Sequence, residues 1–181
     1  MMETKLVLLG TGTPNACPNA SGPSSAVVVG DRAYLVDFGP GVVRQAAKAY
    51  QQGIDALRPD RLMIAFCTHL HTDHTAGYPD LIFTPWVLER PKPLKVFGPK
   101  GIQNMTEHIL KAYETDINFR IHGFEKANEN GYKVETTDIQ LDRAAAGICG
   151  RTSGKASVVG RACSGGRKGV HPGGKGYSFI G

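Results

Sequence analysis

The pattern of apolar and polar positions predicts a series of short strands in the first three quarters of the chain. Apolar runs are each bounded by glycine, proline or polar turn residues, which is typical of strands. The predicted strands are Lys5–Leu9, Ala26–Val29, Ala33–Val36, Arg61–Thr68, Leu94–Phe97, Ile117–Phe124 and Tyr132–Thr137. The Gly-Asp-Arg segment 30–32 between the second and third strands predicts a hairpin. The polar segment 125–131 is expected to form the turn between the last two.

Helical spacing of apolar residues marks three other segments. They are Val42–Gln52, Ala76–Leu88 and Ile102–Tyr113, and Gly53 follows the first as a helix-ending residue. Pro79 and Pro85 fall within the second segment and make its length less well defined. Because strands alternate with helices and also pair in hairpins, the pattern predicts a layered, mixed α/β fold with α+β character.

This patterning stops near residue 138. Residues 139–181 hold 11 of the 23 glycines and only eight residues from Ile, Leu, Val and Phe. That composition cannot bury enough apolar surface to offset the entropy of ordering the chain, so a disordered tail is expected. The sequence therefore predicts a domain at residues 1–138 and a Gly/Arg-rich, low-order tail at residues 139–181.

The origin of the predicted tail is open between two hypotheses. Gly, Arg and Ala make up twenty of its 43 residues, which is typical of a GC-rich gene read in the wrong frame. The alternative is a genuine basic arm that contacts RNA phosphates.

The net charge of +5 is unevenly distributed. The tail holds seven basic residues and one acidic residue (+6), which leaves fourteen basic and fifteen acidic residues (−1) in the other 138 positions. The domain itself is therefore neutral, and an RNA-binding function is indicated only for the tail.

Targeting signals are not apparent in the sequence. No apolar run follows the first five residues, and none approaches the length of a membrane span. The four cysteines (Cys17, Cys67, Cys149 and Cys163) are scattered without a Cys-x-x-Cys pair, which favours reduced thiols. A single-domain cytoplasmic protein is expected, with no membrane partner.

Four potential metal ligands lie within six residues, directly after the apolar run that ends at Phe66. They are His69, His71, Asp73 and His74. Side chains alternate in an extended segment, so His69 and His71 are expected on the same side, where they bind one ion. Asp73 and His74 follow as the chain turns towards a second point nearby. Imidazole and carboxylate ligands favour zinc, iron or manganese. The alternative is a pair of surface histidines in a polar turn.

Other polar residues have less specific signals. Asp37 follows a predicted strand, where it either orients a ligand histidine or caps a helix, and the sequence favours neither. The glycine-rich turn at residues 10–14 lacks the Gly-Lys-Ser/Thr ending of a phosphate-binding loop, which favours a structural turn. His108 and His122 have no ligand-like neighbour and are expected to be structural or at the surface.

Three segments together resemble the metallo-β-lactamase-fold hydrolases. They are Phe66–Gly77, Leu8–Pro14 and Leu35–Gly41, and the opening is most similar to the ribonuclease Z and arylsulfatase-like branch. The resemblance extends to about Thr137. It implies an αββα sandwich, in which two β-sheets lie face to face with helices outside, and this chain supplies about the first half.

The resemblance also implies a metal-dependent hydrolase that attacks an ester bond, with a phosphodiester or sulfate ester of a small molecule or nucleic acid as the favoured substrate. Two zinc ions are implied, with His69 and His71 at the first and Asp73 and His74 at the second. Asp73 is the implied catalytic residue because it also accepts or passes a proton. Asp37 and Thr68 are implied supports of the ligands.

His171 is a candidate fifth ligand. It precedes a Gly-Tyr pair at residues 176–177, which resembles the surroundings of a further histidine in the family, and no aspartate follows it. The missing bridging aspartate leaves a catalytically inactive remnant as the alternative function. Half a sandwich would also leave an apolar sheet face, so a homo-oligomer or self-associating protein is expected.

Overall fold

A computed structural model describes residues 3–140 and the backbone of the pair Val158–Val159. The strands are β1 (Thr4–Gly10), β2 (Ser24–Val29), β3 (Arg32–Val36), β4 (Ile64–Phe66), β5 (Leu94–Gly98), β6 (Val134–Asp138) and β7 (Val158–Val159). The helices are α1 (Val42–Gln51), α2 (Thr72–Thr75), α3 (Tyr78–Val87), α4 (Ile102–Ala112) and α5 (Glu114–His122). Two 3₁₀ turns, Asp55–Leu57 and Pro59–Arg61, connect α1 to β4.

The strands form one mixed sheet in the order β6-β5-β4-β3-β2-β1-β7. β1, β2 and β3 are antiparallel neighbours, whereas β3, β4, β5 and β6 run parallel. The mixed α/β prediction is confirmed. β7 pairs in parallel with Leu6 and Val7 of β1. The rest of the predicted disordered tail, beyond Gln140, lies outside the described residues.

Most of the predicted elements are confirmed. The hairpin forms with Val29 opposite Arg32, and Gly30 has the positive φ (59°) that its tight turn requires. The helix after Gly41 ends one residue earlier than predicted. Strand β4 covers only three residues of the predicted range Arg61–Thr68, because Arg61 ends a 3₁₀ turn, residues 62–63 are irregular and the Thr68 amide bonds to a side chain instead.

The strand predicted at Ile117–Phe124 is wrong, because Glu114–His122 is helical. The apolar residues in this segment recur four apart: Ile117 is buried and Ile121 is half-buried, whereas Phe119 is 72% exposed. Acidic residues occupy the first turn and basic residues the last, which stabilises the helix dipole. An ion pair of 2.9 Å between Asp116 and Arg120, one turn apart, adds to this. Short-range charge spacing therefore outweighs the β-propensity of the apolar residues.

The proline-containing helix α3 is completed by a buried arginine. Pro85 has no N–H to donate to the carbonyl of Leu81, one turn earlier. Arg90 Nη1 donates to that carbonyl instead, at 3.0 Å. Its guanidinium also donates to the carbonyls of Leu62, Ile82 and Gly131 at 2.7–3.2 Å. Burial lowers the pKa of Arg90 to about 10, so the side chain is still charged at neutral pH.

The core lies between the helices and one face of the sheet. Ala26, Leu35, Ala65 and Val96 alternate inward along their strands and are fully buried with Trp86 of α3 and other helical residues. Residues on the opposite face are less well covered. Leu6 and Leu8 are 38% and 39% exposed, and Val27, Val36, Phe66 and Phe97 on the neighbouring strands are half-buried.

In the part of the chain that the structure describes, no helix is long and apolar enough to cross a membrane.

Candidate metal centre

The four predicted ligands lie at the carboxyl end of β4, next to the carboxyl end of β3. The two strands are parallel, so the segments that follow them lie at the same edge of the sheet. The Asp37 amide donates to the carbonyl of Phe66 at 2.7 Å and continues the strand pairing by one residue. This contact places the Asp37 carboxylate directly beneath the histidine-rich segment.

His69 and His71 lie on the same side of an extended segment, as predicted. Nε2 of His69 is 3.1 Å from Nδ1 of His71, and the ring centroids are 4.6 Å apart. Two ligands of one tetrahedral zinc ion are expected about 3.3 Å apart, given zinc–nitrogen bonds of roughly 2.0–2.1 Å. The spacing of these two nitrogens is compatible with one ion, and in the structure it is that of a direct hydrogen bond between the two rings.

Asp73 and His74 occupy the short helix α2, where a turn was predicted. Nε2 of His74 lies 3.6 Å from Oδ2 of Asp73, and both side chains are largely buried. The His74 ring is also 4.1 Å, between centroids, from the ring of His69. The two predicted pairs are thus adjacent through the rings of His69 and His74.

Asp37 is the residue that joins the two pairs. Its carboxylate accepts hydrogen bonds from the amide and hydroxyl of Thr68 at 2.8–2.9 Å and lies 2.8 Å from Nδ1 of His74. Its backbone has a positive φ of 60°, which is uncommon for residues other than glycine and costs conformational energy, although aspartate adopts it more readily than most. The residue before the first turn of α1 is Gly41, so the helix-cap alternative for Asp37 is wrong.

These hydrogen bonds determine which ring nitrogens of His69 and His74 carry a proton and which keep a lone pair for a metal ion. The Thr68 hydroxyl donates to Asp37, so its oxygen accepts the Nδ1–H of His69 at 3.0 Å and leaves Nε2 of that ring unprotonated. The Nδ1–H of His74 donates to Asp37, which leaves its Nε2 as an acceptor facing Asp73. An acceptor 3.6 Å from a carboxylate oxygen is unfavourable without a cation or proton between them. A metal ion or a proton on Nε2 of His74 satisfies this contact, and the donor set is compatible with a metal ion.

The donor side chains form two pairs of possible ligands and not the closed set of four that a complete site has. Within the described residues, no group of three or more His, Cys, Asp or Glu side chains is arranged to hold an ion by itself. The predicted fifth ligand, His171, lies outside those residues.

The thiol of Cys67 lies close to these residues but is not expected to bind a metal ion. It is buried, and its Sγ donates to the carbonyl of His69 at 3.2 Å. Burial, together with the negative charge of Asp37, raises the pKa of Cys67 to about 11. Cys67 is therefore a protonated packing residue at neutral pH.

Three glycines allow the loops around the centre to touch. A Cβ at Gly39 would lie 2.5 Å from the carbonyl oxygen of Asp73, and one at Gly77 would meet the carbonyl of Phe38 at 2.7 Å. A Cβ at Gly22 would meet Pro40. The Gly39 and Gly77 positions are visible in the sequence motifs, but the contact with Gly22 was not predicted.

The other two histidines of the described part lie elsewhere. His108 on α4 is exposed and contacts the carbonyl of Asn104 at 2.8 Å, and His122 is exposed at the end of α5. Both were predicted to be at the surface or half-buried with a structural role, and the structure places both at the surface. An open groove of about 470 Å³ beside His122 is lined by Phe119 and other α5 residues, far along the chain from the metal ligands.

A cleft of about 380 Å³ opens beside Asp73, between the β1–β2 loop and α2. Sequence patterning predicts residues 15–24 only as an exposed loop. No sequence signal placed this loop against the metal ligands, because the contact depends on the close approach of Gly22 and Pro40.

Comparison with known proteins gives the class that the fold and the histidine motif indicate. The model of the metallo-beta-lactamase superfamily matches residues 19–136, and the chain belongs to this superfamily. Ribonuclease Z from Mycobacterium bovis (strain BCG / Pasteur 1173P2) is 40% identical over 120 residues, which are 65% of this chain and 41% of that protein. Ribonuclease Z from Mycobacterium marinum (strain ATCC BAA-535 / M) is 39% identical over the same shares.

Solved structures are similar in fold. The short form of human tRNase Z matches with a TM-score of 0.57 and 22% identity, over 78% of this chain and 48% of that one. A long-form RNase Z from yeast matches with a TM-score of 0.51 and 16% identity, over 62% of this chain and 16% of that one. The chain spans about two fifths of the length of the curated relatives it matches.

Proposed function

We propose that this chain carries the metal-binding part of a hydrolase that cleaves phosphodiester bonds. The observation that supports it most is the close approach of the four donors beside Asp37: Nε2 of His69 lies 3.1 Å from Nδ1 of His71, and Nε2 of His74 lies 3.6 Å from Oδ2 of Asp73. Because Thr68 and Asp37 bind Nδ1 of His69 and of His74, Nε2 is the atom that each ring leaves for a metal ion.

Zinc is the proposed metal, with His69 and His71 as ligands of one ion and Asp73 and His74 as ligands of a second. Bound zinc supplies a water of lowered pKa and a positive charge that attracts an anionic ester. Asp73 is the proposed proton acceptor, since one carboxylate oxygen faces His74 and its side chain is 14% exposed in the cleft. Asp37 keeps the His69 and His74 rings oriented. His171 is proposed as a further ligand of the first ion.

A phosphodiester is favoured over a sulfate ester by the relatives. The curated proteins that match at about 40% identity are named ribonuclease Z. Nucleic acid is therefore the proposed substrate class, and a cytoplasmic, self-associating protein is the proposed setting.

A second candidate is metal binding without turnover. It is favoured by the arrangement of the described donors, of which no three converge on one point. A structural zinc site has four ligands, so each pair needs two more. Residues beyond 140, including His171, are the part of this chain that would distinguish the two candidates.

The test is hydrolysis of bis(p-nitrophenyl) phosphate and p-nitrophenyl sulfate by the zinc-loaded full chain. The proposal expects release of p-nitrophenol from the phosphodiester, its loss in Asp73→Asn and His69→Ala, and its retention in His108→Ala. Zinc binding without turnover of either ester would favour the second candidate. Turnover that persists in both ligand variants would contradict the proposed site.

A further inference from the structure

One wall of the cleft beside Asp73 contains none of the proposed metal ligands. This wall is the loop between β1 and β2, and its two ends are joined by the hydrogen bond from the Gly12 amide to the Ser21 carbonyl, at 2.8 Å. The Gly22 amide donates to the Pro40 carbonyl at 2.9 Å. Gln45 Nε2 of α1 donates to the Ser21 hydroxyl at 3.0 Å. The loop is therefore closed at its base and fixed to the domain through Ser21 and Gly22, which favours a preformed cleft.

The surface of the cleft is mostly small and apolar. Its apolar side chains are Pro14, Ala16, Ala20, Pro40 and Ala76. At about 380 Å³ it lies within the range of roughly 300–1,000 Å³ that is usual for small-molecule sites. Such sites combine apolar walls with a few polar groups that fix the orientation of the ligand.

Three neutral polar side chains, Thr13, Asn15 and Thr72, supply those groups. The Asn15 amide offers both a donor and an acceptor, as the edge of a nucleobase does. Asp73 is the only charged residue among the described residues that line the cleft. An anionic group in the cleft would thus meet a like charge with no nearby cation among those residues.

We propose that the cleft binds an uncharged planar group of the substrate, with the size and hydrogen-bonding edge of a nucleobase. The anionic ester then lies towards the histidines, and the base lies between the β1–β2 loop and α2. This inference rests on the proposed function for the identity of the substrate, but the binding it describes does not require bound metal.

The experiment uses the full chain with excess chelator, so that only the cleft is tested. Adenosine and adenosine 5′-monophosphate are titrated separately and followed by amide chemical shifts. Adenosine is expected to shift the amides of the non-proline residues in 13–22 and of Ala76. The monophosphate is expected to bind at least about fivefold more weakly, since its charge approaches Asp73.

Matched variants test the two parts of the argument. Asn15→Ala is expected to weaken adenosine binding, whereas Asn19→Ala, in the same exposed loop but outside the lining, leaves it unchanged. Ala20→Lys is expected to reverse the preference in favour of the monophosphate. Gln51→Lys adds the same charge on the exposed end of α1 and controls for net charge.

Several outcomes overturn the inference. Adenosine that fails to bind, or that shifts residues away from the cleft, contradicts it. So does a wild-type protein that prefers the monophosphate without metal. Failure of the proposed function instead appears as absent zinc binding or absent turnover, and it leaves these titrations unaffected.

Discussion

The Nδ1 atom of His74 lies 2.8 Å from Oδ2 of Asp37, although the two residues are 37 positions apart in the chain. The same carboxylate accepts two hydrogen bonds from Thr68, whose hydroxyl in turn contacts His69 at 3.0 Å. One buried side chain therefore orients a histidine of each proposed metal pair. Its left-handed backbone shows that the fold maintains this contact against a conformational cost.

Asp37→Asn is predicted to weaken zinc binding by about 10- to 100-fold, because it removes the negative charge that holds Nδ1–H of His74 and the Thr68 hydroxyl. Isothermal titration with zinc measures this. Asp55→Asn, at an exposed position of a 3₁₀ turn, is the control. Equal affinities in the two variants would show that Asp37 does not orient the ligands.

Gly39→Ala is predicted to lower both stability and zinc affinity, since the added Cβ would lie 2.5 Å from the carbonyl oxygen of Asp73. Gly53→Ala is the matched control. Gly53 has a positive φ of 95° but open space around it, so the change costs about 1–2 kcal/mol of backbone strain without moving a ligand. Thermal melts of both variants measure the loss of stability that backbone strain causes. Zinc titrations show whether Asp73 is displaced, which is expected only in Gly39→Ala. Unchanged zinc affinity in Gly39→Ala would contradict the prediction.

Arg90→Met is predicted to destabilise the domain by at least about 3 kcal/mol, because four buried carbonyl groups lose charge-assisted hydrogen bonds. Urea denaturation measures the free energy of unfolding. Arg44→Met is the control, since its ion pair with Asp80 is exposed and is expected to contribute about 0–1 kcal/mol. A loss below about 1 kcal/mol in Arg90→Met would show that water satisfies those carbonyls.

The sheet face opposite the helices is predicted to cause self-association. Leu6 and Leu8 are each more than a third exposed there, next to half-buried residues of the neighbouring strands. Leu8→Lys is expected to shift the sedimentation profile towards monomer, whereas Leu88→Lys, 50% exposed after α3, is not. A wild-type protein that sediments as a monomer at every concentration would contradict this prediction.

The strands and helices with regular apolar spacing could be predicted from the sequence, and so could the pairing of His69 with His71. Alternation in an extended segment is a local property, and it needs no knowledge of the rest of the fold. The position of Asp37 beneath His74 could not be derived from the residues alone. It depends on two parallel strands ending at the same edge, which is a long-range property.

Helix α5 was missed for a different reason. Residues 117–124 combine β-prone apolar residues with charges at helical spacing, and these two signals conflict. The pairing of Asp116 with Arg120 indicates the helix, but it carries little weight until Ile117 is seen to pack in the core. The Arg90 contacts were equally unpredictable, because their partners are backbone carbonyls with no sequence signature.

The central claim is that His69, His71, Asp73 and His74 bind zinc. Native mass spectrometry of the zinc-loaded full chain measures the number of ions per chain before and after a brief chelator wash. The account predicts bound zinc, with fewer than two ions retained per chain because each pair supplies only two ligands, a lower zinc content in His69→Ala and an unchanged content in His108→Ala. A chain that binds no zinc, or that binds it equally well in the His69→Ala variant, would contradict the account.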